Sequence, residues 1–181
     1  MAGATRLPVV GVIGSGSDDH EDRAAALGSW LATQGVHLLT GAGQGVMAAV
    51  SKAFAEMPAR KGLVLGIVPC IAEDAPEAPK PGYPNEWIEV PIRTHLHLSG
   101  RQGTDPRSRN HIVIVTANVL VAMPGGPGTA SEVQLALRYK KPVIAFLKAR
   151  EEISGLPPEV RWEPDLNQVK EFISEQINRV Q

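Results

Sequence analysis

The chain has 181 residues, 43% hydrophobic and 20% charged, a mix close to the globular norm that argues against a disordered chain or a coiled coil. Eighteen Lys and Arg against nineteen Asp and Glu leave a net charge of −1, so nothing pulls the protein toward nucleic acid or an anionic membrane. Cys70 is the only cysteine, which excludes a disulfide framework and a Cys-rich zinc site.

The opening MAGATRLPVVGVIG has too short an apolar run for a signal peptide, and no stretch reaches the ~18 apolar residues of a membrane span. A cytoplasmic protein is the expectation. Pro8 to Ile13 reads as a buried strand, followed by an amphipathic helix over Asp22 to Thr33 (Ala24, Leu27, Leu31) that Gly35 closes. Val36 to Leu39 predicts a second strand, Val46 to Met57 a second helix, and Gly62 to Val68 a third strand. The proline-rich stretch Cys70 to Glu86 predicts an excursion over the surface. Trp87 to Ile92 reads as a strand, Arg93 to Pro106 as a polar connection, and Arg107 to Thr116 as a helix. Asn118 to Met123 is the clearest strand. A helix over Thr129 to Tyr139, a strand over Pro142 to Leu147 and a helix over Asp165 to Val180 complete the chain. Strands that are apolar throughout have both faces covered, and repeated strand–helix order implies a mostly parallel sheet with right-handed crossovers. The expected architecture is a single α/β, doubly wound domain over residues 1–181, with helices on both faces.

In such a sheet ligands bind beyond the carboxyl ends of the strands. Three glycine clusters fall there: Gly14-Ser15-Gly16-Ser17, Gly41-Ala42-Gly43-Gln44-Gly45, and Gly125-Gly126-Pro127-Gly128-Thr129. Glycine lets the backbone approach an anion, and a following helix N-terminus offers free N–H groups. The clusters point to a phosphorylated ligand, although each glycine also suits a plain tight turn. No cluster carries the Lys-Ser or Lys-Thr of a Walker A loop, and Asp19 stands where the third glycine of a dinucleotide fingerprint belongs. The strand at Val36 also lacks the acid that would hold a ribose diol, so NAD is not expected.

The segment Arg107 to Glu132, RSRNHIVIVTANVLVAMPGGPGTASE, carries the most information. Pro124, Gly125, Gly126, Gly128, Thr129 and Glu132 match the PGGxGTxxE signature of the Lonely Guy family of nucleoside 5′-monophosphate phosphoribohydrolases. Arg109 falls at the family's arginine, and GAGQGVM at Gly41 to Met47 resembles its GGGxxGLM turn; the resemblance spans roughly Val9 to Leu147. Two positions depart from the pattern: Asn110 replaces a lysine, and Ser131 the first of two paired acids. The run RxRN…NVLVA…GPGTxxEVxLALxxxKPV is more similar to the molybdenum cofactor carrier branch of the superfamily.

The resemblance implies a Rossmann-like fold and a homodimer or homotetramer. The hydrolase branch implies cleavage of an N-glycosidic bond to free base and ribose 5-phosphate. Arg109 would then hold the ribose-phosphate, and Glu132 would orient the ribose hydroxyls and the water. The carrier branch implies the alternative, a protein that binds a pterin phosphate as cargo without turning it over, or a nucleotide-binding sensor. Gly14, Ser15, Gly16, Gly41, Gly43, Gly45, Pro124, Gly125, Gly126, Gly128 and Thr129 are the expected phosphate- or nucleotide-binding positions. Neither branch implies a required cofactor.

Other residues keep ordinary alternatives open. Thr129-Ala130-Ser131-Glu132 also reads as a capping box, and Ser15 and Ser17 as caps of the first helix with Asp18 or Asp19. Arg107 reads as a solvated residue at a helix start, with a phosphate contact as the alternative. His95 and His97 form an H-x-H pair with no further ligand at metal spacing, so no metal site is expected. Cys70, Trp30, Met47, Trp87 and Trp162 read as packing residues. No lysine marks a Schiff base, and Lys140, Lys141 and Lys148 look like helix-end or loop residues, which argues against a decarboxylase.

Overall fold

A computed structural model describes residues 6–179. The expectations that fall on Met1–Thr5, and on Val180 at the end of the last predicted helix, lie outside the described residues. The Val-rich opening forms β1 (Val9–Ile13), and α1 (Glu21–Ala32), β2 (His37–Thr40), α2 (Val46–Ala55) and β3 (Val64–Val68) follow. After them come β4 (Cys70–Ala72), β5 (Ala75–Pro79) and β6 (Val90–Arg93), then α3 (Asn110–Thr116) and β7 (Val119–Ala122). The chain continues through α4 (Pro127–Arg138), β8 (Val143–Phe146), β9 (Trp162–Glu163) and α5 (Leu166–Asn178).

Seven strands make one sheet in the order β6-β3-β2-β1-β7-β8-β9, every neighbouring pair parallel. One apolar layer packs α1, α2 and α5 through Leu27, Leu31, Phe54, Val169 and Ile173 on one sheet face. The other packs α3 and α4 through Ile114, Val133 and Leu135 on the opposite face. This is the doubly wound, Rossmann-like α/β fold. Phe54 is fully buried between α2 and the sheet. Phe54→Ala is expected to cost about 3–5 kcal/mol, read as a lower urea midpoint at unchanged slope.

The chain order reverses between β1 and β7, because β1 is followed outward by β2 on one side and by β7 on the other. Their registers end together, with Ile13 beside Ala122. The Asn118 side chain ties the start of β7 to β1 by accepting from the Val9 amide at 2.8 Å. Beyond the strand ends, the Ser15 amide donates to the Pro124 carbonyl at 2.9 Å. A crevice therefore opens between the Gly14 and Gly125 turns, at the switch point where ligands of such sheets bind.

Several expectations need correction. Cys70 to Glu86 is not a bare excursion: it contains the antiparallel pair β4–β5, in which Cys70 pairs with Pro79. β9 was not predicted at all. α3 starts at Asn110 and not at Arg107, and α4 starts at Pro127 and not at Thr129. The capping box at Thr129 and Glu132 is therefore not formed: Gly126 is the N-cap of α4, Pro127 fills the first turn, and no side chain caps it. Ser15 and Ser17 do not cap α1, whose N-cap is His20. The Ser15 hydroxyl oxygen instead accepts from the amides of Ser17 at 3.2 Å and Asp18 at 2.9 Å within its own turn.

Among the described residues no helix is long and apolar enough to cross a membrane.

Candidate functional site

The crevice leads into a cavity of about 270 Å³. Gly14, Ser15, Gly16 and Ser17 from the turn after β1 line one side, and Gly126, Gly128 and Thr129 from the start of α4 line another. Arg109 and Asn110 come from the start of α3, and Glu132 from the second turn of α4. The amides of the first turn of α4 have no carbonyl partner within the helix, and with the positive end of its dipole they suit an anion at the mouth.

The remaining expected positions stand behind this wall. Gly41 lies directly beneath Arg109, and a Cβ there would overlap the guanidinium. A Cβ on Gly43 would come within 2.7 Å of Met47 Cε and 3.0 Å of the Tyr83 hydroxyl. Gly45 has φ 62° and ψ −132°, a conformation that strongly favours glycine, and it lets the Val46 amide reach the Ser15 carbonyl at 3.0 Å. The Pro124 carbonyl holds the Ser15 amide, while the Gly125 amide donates to the Glu152 carbonyl at 2.9 Å.

At the closed end, Arg109 Nη1 lies 3.9 Å from Glu132 Oε1, an ion pair too long for a hydrogen bond. Both side chains are buried, Arg109 at 4% exposure and Glu132 at 11%. Burial pushes the Glu132 carboxyl up to about 7, against the opposing pull of Arg109. Arg109 Nε and Nη1 and Asn110 Oδ1 are buried without a hydrogen-bond partner. Native proteins leave few such groups open, and here three belong to two residues that line one cavity.

Sequence reasoning missed Tyr83, Ser99 and Gly100, which also line the cavity; Met47, read as a packing residue, is buried as expected and also borders the site. Asn85 holds the Tyr83 stretch in place: its side-chain amide donates to the Gly43 carbonyl at 2.7 Å, and its backbone amide to the Ala42 carbonyl at 2.9 Å. Ser131 is turned away from the ligand space, its hydroxyl 2.7 Å from the Gly128 carbonyl and 3.0 Å from that of Gly100. It thereby pins the turn at Gly100–Gln102 over the start of α4. Glu152, also unanticipated, is gripped at 2.8 Å by both terminal nitrogens of Arg23 and supports the Gly125 turn from behind. Ser17 is shared with a neighbouring groove of about 530 Å³ that runs past Gln44 and Lys52 to Trp87.

Arg107 is exposed and pairs with Asp105, as a solvated residue should. Lys141 donates to the carbonyls of Val115 and Ala117, both at 2.7 Å, closing the end of α3. Cys70 is buried. Among the described residues no group of His, Cys, Asp and Glu could hold a metal ion.

With this geometry in view, the sequence profile of the SLOG cluster4 family matches residues 7–171. The chain belongs to that family. The resemblance to the Lonely Guy superfamily and its carrier branch holds. The SLOG cluster4 chain is 31% identical over 153 residues to an uncharacterized protein of Archaeoglobus fulgidus, covering 83% of this chain and 87% of that one. Among solved structures it is similar to the molybdenum cofactor binding protein of Rippkaea orientalis, with a TM-score of 0.73 and 28% identity over 96% of this chain and 99% of the other. It is also similar to the Moco carrier protein of Chlamydomonas reinhardtii, with a TM-score of 0.64 and 31% identity over 94% and 99% of the two chains.

Proposed function

We propose that this SLOG cluster4 protein binds molybdenum cofactor, a pterin phosphate, as cargo and does not turn it over. The observation that carries the reading is the set of unpartnered polar groups around the switch-point cavity: Arg109 Nε and Nη1 and Asn110 Oδ1. The phosphate would sit at the mouth, on the Gly14–Ser17 turn and the first turn of α4. The likeness to molybdenum cofactor binding and carrier proteins over nearly the whole chain supports the same choice. So do the two departures from the hydrolase pattern. Asn110 cannot supply the lysine's charge, and Ser131 is engaged in holding the Gly100 turn.

The second reading, hydrolysis of a nucleoside 5′-monophosphate, draws on one feature. Glu132 with its carboxyl near 7 is tuned for proton transfer at neutral pH. One experiment separates them. The purified protein is titrated with molybdopterin and, in parallel, incubated with a panel of nucleoside 5′-monophosphates while free base is measured. Binding of the pterin with no base released is the expected result. Base release that vanishes in Glu132→Ala would replace carriage with catalysis.

A homodimer or homotetramer and a single domain belong to the same proposal. The exposed apolar side chains of Val115 on α3 and Tyr139 beyond α4 offer a surface for association, and light scattering reads the mass directly.

A further inference from the structure

The closed end of the cavity has a donor and acceptor pattern that is specific enough to read. Asn110 Oδ1 is an acceptor with nothing to accept, and Arg109 Nε and Nη1 are donors with nothing to receive them. Beside Arg109 stands the Glu132 carboxyl, held only by that long contact. All three residues line one cavity, and all three are buried. Groups this deeply buried cannot turn to bulk water, so each forfeits its hydration until a ligand replaces it.

A carboxylate and a carbonyl oxygen that line one cavity ask for N–H groups, and a guanidinium there asks for an oxygen. A 2-amino-4-oxopyrimidine ring offers that set on one edge: an exocyclic amino group, a ring N–H and a keto oxygen. The phosphate, which has no N–H, satisfies none of the acceptors. We infer that Asn110, together with Glu132 and Arg109, reads the 2-amino-4-oxopyrimidine edge shared by pterins and guanine. The inference rests on the proposed pterin reading and names the part of the ligand that the closed end selects. One amino hydrogen goes to Asn110 Oδ1 and the other to Glu132, which also accepts from the ring N–H; the keto oxygen accepts from Arg109. Asn110 thus acts as a specificity residue. The lysine of the Lonely Guy pattern has donors only and would face the amino group with like polarity.

The test is a double substitution, one in the ligand and one in the protein. 6-Hydroxymethylpterin and 6-hydroxymethyllumazine differ in having an amino or an oxo group at ring position 2, and neither carries phosphate. Wild-type protein is expected to bind the pterin at least about 10-fold more tightly than the lumazine. Asn110→Ala should reduce that preference to within about 2-fold, while Asn110→Asp, which keeps an acceptor, should retain it. Absence of the preference in wild type, or its survival in Asn110→Ala, overturns the assignment; the wild-type ratio decides even if a variant fails to fold.

Guanosine and adenosine 5′-monophosphates identify the source of the edge. A guanine preference with the same Asn110 dependence points to guanine nucleotides, and a preference confined to the pterin points to pterins. Molybdopterin titrated alongside keeps the two readings apart. If it binds while wild type shows no pterin preference, the edge assignment falls and carriage stands. If it does not bind while the Asn110-dependent preference is present, carriage falls and the edge assignment stands.

Discussion

Gly41→Ala is expected to yield a folded protein that binds molybdopterin about 100-fold more weakly or worse. The three atoms nearest a Cβ at this position all belong to the Arg109 guanidinium. The methyl group must push that guanidinium into the cavity, where it fills ligand space and loses its aim. Loss of two hydrogen bonds from a charged donor, each worth about 1.5–3 kcal/mol, accounts for the affinity change. Stability should fall by only about 1 kcal/mol, the low end for overpacking, because the displaced atoms are the far end of a flexible side chain and not backbone. Calorimetric titration and urea unfolding of the same preparation measure both quantities. The substitution should also bring Arg109 closer to Glu132 and lower the Glu132 carboxyl from its raised position, a direction that side-chain NMR reads. Unchanged affinity would remove Arg109 from the binding machinery.

Glu132→Gln is expected to be more stable than wild type at pH 8, although it binds worse. In the folded protein burial raises the carboxyl to about 7, whereas in the unfolded chain it ionises at its ordinary value of 4.5. Between those two values the folded state holds a proton that the unfolded state has released, so this group's contribution falls as pH rises and is lowest above about 7. A rise of that size is worth about 3 kcal/mol. Glutamine keeps the shape of the protonated acid at every pH, so the variant should lack this loss. The difference in unfolding free energy between variant and wild type should therefore be near zero at pH 4 and grow to about 3 kcal/mol at pH 8. A flat difference across that range would mean that Glu132 titrates normally.

Much of the architecture is legible in the residues because the controlling signal is local. Val10, Val12, Leu38, Val119 and Val121 are apolar in runs, not in alternation, and each lies buried in a sheet covered on both sides. The crevice also follows from the order of elements, since a glycine turn after β1 and another after β7 must meet where the winding reverses. The failures have physical causes. β9 is two half-buried residues, Trp162 and Glu163, too short to show any period. β5 contains Pro76 and Pro79, which a two-stranded ribbon tolerates but a strand pattern does not advertise. The start of α4 was readable, because Pro127 suits a first helical position, yet Thr129 offered a competing cap. Tyr83 and Ser99 could not be placed, since they enter the site on irregular segments whose course depends on distant partners such as Gly43.

The wholly parallel pairing of the sheet also fixes when the cavity comes into being. No two neighbouring strands of this sheet are joined by a hairpin, so each pairing waits for a crossover to be completed. The contact that sets β1 beside β7 joins residues 109 positions apart. A chain emerging from the ribosome therefore presents the Gly14 turn long before Arg109, Asn110 and Glu132 exist to face it. On the proposed reading, cargo would be captured only by a chain whose synthesis has passed α4, and nascent fragments ending before β7 are expected to be blind to it. Ligand binding then reports completion of the fold, and added pterin should slow unfolding without hastening the earliest steps of folding.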